Sequence, residues 1–156
     1  MKRTALAAAA MLVVAAVAAV AGCESESERA AEKQLETAQK QLQCSRDAKP
    51  VSLPSPPSVP AVVPLPAGTT VYQVDDRGTG GVVISAVTST PFQDVLHFMN
   101  TDLVGAGFTI TKGETEEHDA EADWESASYR GRWAIREVGT QCPGDTLVTI
   151  LTAAKS

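Results

Sequence analysis

The sequence predicts an α+β fold: a two-layer sandwich with one helix packed on an antiparallel sheet, in the order β-β-α-β-β-β-β. Three observations predict it. Thr90 to Gly107 carries an apolar helical period between a Pro-containing start and a double-glycine stop. Short β-branched runs flank that segment, two before it and four after, separated by turn residues. Upstream, the composition is different: Ala- and Glu-rich, then Pro-rich, up to about residue 67. The expected organisation is a leader over 1–22, a tether with a helix over 23–48, a Pro-rich linker over 49–66 and the α+β domain over 67–154.

The leader follows from charge and hydropathy. Lys2 and Arg3 form a short basic start, and Thr4 to Gly22 carries no charge and is mostly Ala, Val, Leu and Met. Export signals have this layout, basic and then apolar, with small residues at the cut. Val20-Ala21-Gly22-Cys23 closes the run. These four residues resemble, position by position, the lipobox of bacterial lipoprotein precursors: aliphatic, small, Gly or Ala, then Cys. The resemblance implies that the Cys23 thiol is alkylated by a diacylglyceryl group and that cleavage leaves Cys23 as the first residue. The mature chain would then be lipid-anchored at the extracytoplasmic face of the cell membrane. Two acyl chains give stable anchoring, so no transmembrane helix is required. Two other readings of the same residues stand beside it. One is secretion with Cys23 unmodified; the other is an uncleaved apolar helix of about 20 residues, long enough to span a bilayer.

Of 156 residues, 134 remain after removal of the leader, enough for one domain plus tethering sequence. Losing Lys2 and Arg3 leaves 11 Lys and Arg against 19 Asp and Glu, a net charge of −8. That balance argues against nucleic acid as a partner and against a polybasic membrane patch. With Cys23 set aside, Cys44 and Cys142 form an even pair in a disulfide-permissive compartment, and the expectation is that they bond. Two free thiols or a metal pair are the alternatives; no second His/Cys pair at ligand spacing supports a metal.

Glu24 to Gln43 reads as a helix, with Ala31, Leu35, Ala38 and Leu42 in one narrow apolar stripe and Glu36–Lys40 as a supportive pair. The stripe is thin for a coiled coil, which favours a solvated tether helix. Seven prolines between Pro50 and Pro66 enforce extended backbone, a spacer reaching roughly 50 Å. A Cys44–Cys142 bond conflicts with a free stalk, because it pins the near end of the linker to the far end of the domain.

Within the domain, Thr69 to Val74 and Val82 to Thr88 read as strands joined by Asp75 to Gly81. Thr90-Pro91-Phe92-Gln93 offers an N-cap, a Pro at the first helical position and a capping-box Gln. Phe92, Val95, Leu96, Met99 and Leu103 make the buried stripe, which His97 avoids. Phe108 to Lys112 is a third strand. The acidic run Glu114 to Glu125 reads as a solvated hairpin loop. Asp119, Glu121, Asp123 and Glu125 alternate as carboxylates on one strand face would, but calcium-loop spacing fails at Trp124 and Arg130. Arg130-Gly131 reads as a two-residue hairpin turn, pairing Tyr129 with Arg132 and Glu125 with Arg136. Thr146 to Thr152 is apolar enough to be a central strand.

The order of elements from Leu65 to Ala154, with a helix ending in Gly105-Ala106-Gly107-Phe108, resembles small envelope lipoprotein domains of high-GC Gram-positive bacteria. The resemblance implies a fold and carries no site residues. Besides Cys23, Cys44 and Cys142, the sequence offers no catalytic set, cofactor motif or metal-ligand pattern. His97 and His118 are the only histidines, and no free thiol nucleophile is expected. The expected role is therefore non-catalytic, a binding or structural module held to the membrane through Cys23, with an envelope protein as partner. A carrier of a small apolar ligand and an enzyme of unrecognised type are the alternatives. A deep pocket lined by Trp124 and Trp133 would favour the carrier.

Overall fold

The computed structural model describes residues 26–55, 59–60 and 65–155; the leader over 1–22 and Cys23 lie outside the described residues. The elements are α1 (Glu26–Gln39), β1 (Thr70–Asp76), β2 (Val82–Thr88), α2 (Phe92–Gly105), β3 (Thr109–Thr115), β4 (Asp119–Glu125), β5 (Tyr129–Glu137) and β6 (Thr146–Ala154). One six-stranded sheet runs β1-β2-β6-β5-β4-β3, antiparallel throughout. The α+β class and the antiparallel sheet agree with the sequence expectation. As expected, β6 is central, buried along seven consecutive residues.

The two faces of the sheet are covered differently. Even-numbered residues of β2 and β6 (Val82, Ile84, Ala86, Val148, Ile150) meet Phe92, Val95, Met99 and Leu103 of α2 in the main core. Odd-numbered Val83 and Leu151 meet Leu35 and Ala38 of α1 on the opposite face, together with Ala134. The sheet is thus sandwiched between two helices, where one helix on one face was expected. The upstream helix is not a solvated tether: Leu35 and Ala38 are each 1% exposed. Of the expected stripe, Ala31, Leu35 and Ala38 pack on the sheet, but α1 ends at Gln39 rather than Gln43, and Leu42 packs beside Tyr72 and Leu147. In a sheet buried on both faces the strands are continuously apolar, and β2 is buried at every position.

The described parts of the Pro-rich segment, residues 49–55, 59–60 and 65–66, also lie on the domain. The Val51 amide bonds the Val71 carbonyl at 2.9 Å, extending the β1 edge. Val59 is buried in the main core, with Leu53 and Leu65 packed against it. Leu53, Val59 and Leu65 hold these parts down.

Helix ends follow local chemistry. The backbone of Pro91 is non-helical and it is the N-cap of α2, with no side-chain cap bond, so the expected Thr90 capping box does not form. Thr90 is engaged elsewhere: its amide bonds the Thr88 hydroxyl and its carbonyl accepts from Thr146 Oγ1. The C-terminus closes as a Schellman motif. Phe108 N bonds Leu103 O at 3.2 Å and Gly107 N bonds Val104 O at 3.0 Å, with Gly107 at φ 91°.

Two corrections concern the acidic half. Asp119 to Glu125 is a strand rather than a loop, and only Glu116 to His118 form the turn. The β4–β5 turn is Ser126 to Ser128, closed by Ser126 N to Tyr129 O at 2.8 Å. Gly131 therefore lies within β5, and Glu125 pairs with Arg130 rather than Arg136. The register differs from the expected one by six residues, an even number, so Trp124, Trp133 and Ile135 share the buried face in both; Tyr129, now in β5 instead of opposite Arg132, joins them against the main core. Gly131 is present for close approach, not for a turn: the Leu151 carbonyl oxygen, with the Trp124 ring behind it, occupies the place of its missing side chain.

Candidate functional site

Of the three cysteines expected to matter, the structure joins two. Cys44 and Cys142 are disulfide-bonded with Cα atoms 5.3 Å apart, across 98 residues of sequence. Their Sγ atoms and an Asp145 carboxylate oxygen lie within 4.8 Å of one another. The sulfurs are spent on each other, and the Asp145 carboxylate accepts from both the amide and the hydroxyl of Ser45 at 2.7 Å. The group is a clasp, holding the chain just past α1 to the loop before β6. Cys23 lies outside the described residues.

The charged face of β4 is the most structured polar cluster. Arg132 is 6% exposed. It donates from Nε to Asp123 Oδ1 at 2.7 Å, from Nη2 to Asp123 Oδ2 at 3.3 Å and from Nη1 to Glu121 Oε1 at 3.2 Å. Burial pulls the guanidinium down, but the bonds to Asp123 and the charge of Glu121 outweigh it and hold the group above its ordinary value. Glu121 moves up from 4.5, mainly through burial; Arg132 opposes this while Glu32, Glu114 and Asp119 add to it. Farther along, Lys155 Nζ meets Glu125 Oε2 at 3.0 Å. The carboxylates at 119, 121, 123 and 125 do share a face, as a strand requires, and Arg132 and Lys155 answer three of them.

Asp123→Asn should cost about 3 kcal/mol, because it leaves a buried guanidinium without its bidentate partner. Glu121→Gln should stay within about 1 kcal/mol, since Asp123 keeps Arg132 paired. The raised Glu121 carboxyl binds its proton more tightly folded than unfolded, so its contribution to stability falls as pH rises from 4.5 through the raised folded value. Glu121→Gln should remove that slope. Denaturant titrations of both variants across acidic pH read all three effects.

Among the described residues, grooves and a small cavity lie near these features. A 440 Å³ groove lies between the N-terminal turns of α1 and the end of the sheet, bounded by Ala30, Ala31, Thr79, Gly80, Arg130 and Ala153. A 250 Å³ groove beside it is acidic, edged by Glu32, Glu36, Glu114, Glu116, Asp119 and Glu121. A 330 Å³ groove at the other end of the sheet holds His118, whose Nδ1 lies 2.8 Å from Glu137 Oε2. In the main core, Pro60, Met99, Leu103, Phe108, Trp124 and Trp133 surround an apolar cavity of about 10 Å³. Phe108 and Trp124 meet edge to face there, 5.1 Å between centroids. That space suits about one water, against some hundreds of Å³ in a small-molecule pocket.

His97 is exposed on α2, away from the core stripe. Burial pushes the Tyr72 phenol up to about 12, against weaker opposition from the Gln43 backbone, Ser85 and Arg136. Its oxygen and that of Ser85 nonetheless lack a hydrogen bond of good geometry. Such a phenol stays protonated near neutral pH. The sequence reading missed the docking of α1. The signal was there: Cys44 follows Gln39 by only five residues, so a bond from Cys44 into the domain draws the helix onto it. Among the described residues no helix is long and apolar enough to cross a membrane. Comparison of the chain with protein-family models, curated proteins and solved structures finds no match.

Proposed function

We propose that this chain is the precursor of a lipoprotein, anchored through Cys23 at the extracytoplasmic face of the cell membrane. Its folded part serves as a non-catalytic binding or structural module for an envelope partner. The observation that carries this reading is the cysteine balance. The Cys44–Cys142 bond uses the other two cysteines and fits an oxidising compartment. That leaves Cys23 as the one thiol outside the bond, at the end of Val20-Ala21-Gly22-Cys23 and behind an uncharged run. The buried Arg132 cluster and the disulfide clasp support a rigid presenting scaffold. A carrier of apolar ligands needs the Trp124–Trp133 cavity to open far beyond its present volume, which makes it the weaker reading.

Intact-mass spectrometry of the protein from its native membrane tests the anchor. The expected mass lacks the first 22 residues, gains a diacylglyceryl group and rises by two hydrogens on reduction. Cys23→Ser should move the protein out of the membrane fraction. A full-length or unlipidated mass from the membrane would overturn the proposal.

A further inference from the structure

We infer that the domain is held directly against the bilayer, with one defined end of the sheet facing the lipid headgroups, rather than carried away from it on the Pro-rich segment. The inference rests on the lipid anchor proposed above and adds where that anchor places the fold. Cys23 is three residues from Glu26, where α1 begins. Three residues reach at most about 11 Å even fully extended. From there the chain has no slack, because α1 is packed on Val83, Ala134 and Leu151 and clasped by the Cys44–Cys142 bond. The prolines come after this docking point, so they cannot act as the spacer between lipid and domain.

The topology says which end is lowest. The N-terminal turns of α1 share a groove with Thr79 and Gly80 of the β1–β2 turn, Arg130 and Gly131 at the start of β5, and Ala153 near the end of β6. The β4–β5 turn Ser126 to Ser128 and the C-terminus of α2 lie at this same end, since Thr109 pairs with Glu125 and Tyr129 with Ala154. This end suits a headgroup surface. Its connections are short: Arg77 to Gly81, Ser126 to Ser128 and Ala106 to Phe108, all Gly, Ser, Thr and Ala except Arg77 and Phe108. Val104, 49% exposed at the end of α2, is one of the two exposed large apolar side chains among the described residues.

The test uses the full lipidated protein. With Cys23 a thioether and Cys44–Cys142 oxidised, an added cysteine is the only free thiol to label. Thr79→Cys and Ala127→Cys place a fluorophore at the proposed lipid-facing end, and Glu117→Cys places one at the other. The two ends are about 20 Å apart along seven-residue strands. The labelled proteins are bound to phosphatidylcholine vesicles containing a headgroup-nitroxide phosphatidylcholine. Severalfold stronger quenching at 79 and 127 than at 117 is the expected result. Vesicle-bound, lipidated protein with equal, weak quenching at all three sites would overturn the inference and leave the anchor standing. Stronger quenching at 117 would show the opposite orientation and overturn it too. Protein whose mass shows no lipid on Cys23 would overturn both the anchor and the inference.

Discussion

Removal of the Cys44–Cys142 bond, by Cys44→Ser with Cys142→Ser, should lower the free energy of unfolding by about 4 kcal/mol and Tm by more than about 10 °C. The bond closes 98 residues, a loop long enough that opening it returns much chain entropy to the unfolded state. A second consequence is local. Without the clasp, α1 stays on the sheet only through its narrow stripe around Leu35 and Ala38. An isolated 14-residue helix is marginal in water, so an undocked α1 also unravels. Hydrogen exchange should show the α1 amides losing protection well before those of β2 and β6. A Tm change of under about 2 °C, with α1 still protected, would mean that packing alone holds the helix.

Gly131→Ala should cost about 3 kcal/mol or more, a large effect for the addition of one methyl group. A side chain there would overlap the Leu151 carbonyl oxygen and lie 2.7 Å from the Trp124 ring. The backbone of β6 cannot yield without breaking the centre of the sheet, and the ring cannot yield without opening the core around Phe108 and Trp133. Gly105→Ala is the matched control: its added carbon meets nothing within 4 Å, and helix propensity favours it by about 0.5–1 kcal/mol. Urea titrations followed by Trp fluorescence read both. A wild-type midpoint for Gly131→Ala would show that Trp124 does not lie over this glycine.

The same glycine shows where reading the sequence stops. Arg-Gly between two apolar strands has turn chemistry, and nothing local says that the residue instead serves an aromatic ring seven positions earlier. Trp124, Trp133 and Ile135 share a face in either register because the two registers differ by an even number of residues, whereas Tyr129, transferred from one strand to the next, changes face. Similarly, Thr90 sits where an N-cap belongs, but its amide goes to Thr88 and its carbonyl to Thr146, a partner 56 residues away.

The sequence by itself determined several elements and their apolar character: the α2 stripe, the Gly107 stop, the β-branched run of β2 and the even cysteine pair. These depend on periodicity, backbone freedom and counting, which are local properties. It also carries the lipobox-like stretch ending at Cys23. Only the tertiary structure decided what each face meets. The narrow stripe of α1 looked too weak to pack because its stability depends on Val83, Ala134 and Leu151, which lie 48 to 116 residues from Leu35 in sequence. The acidic run looked solvated because the guanidinium that binds two of its carboxylates comes from the next strand. Burial and charge pairing are non-local, and so the second covered face of the sheet becomes visible only once the chain is folded.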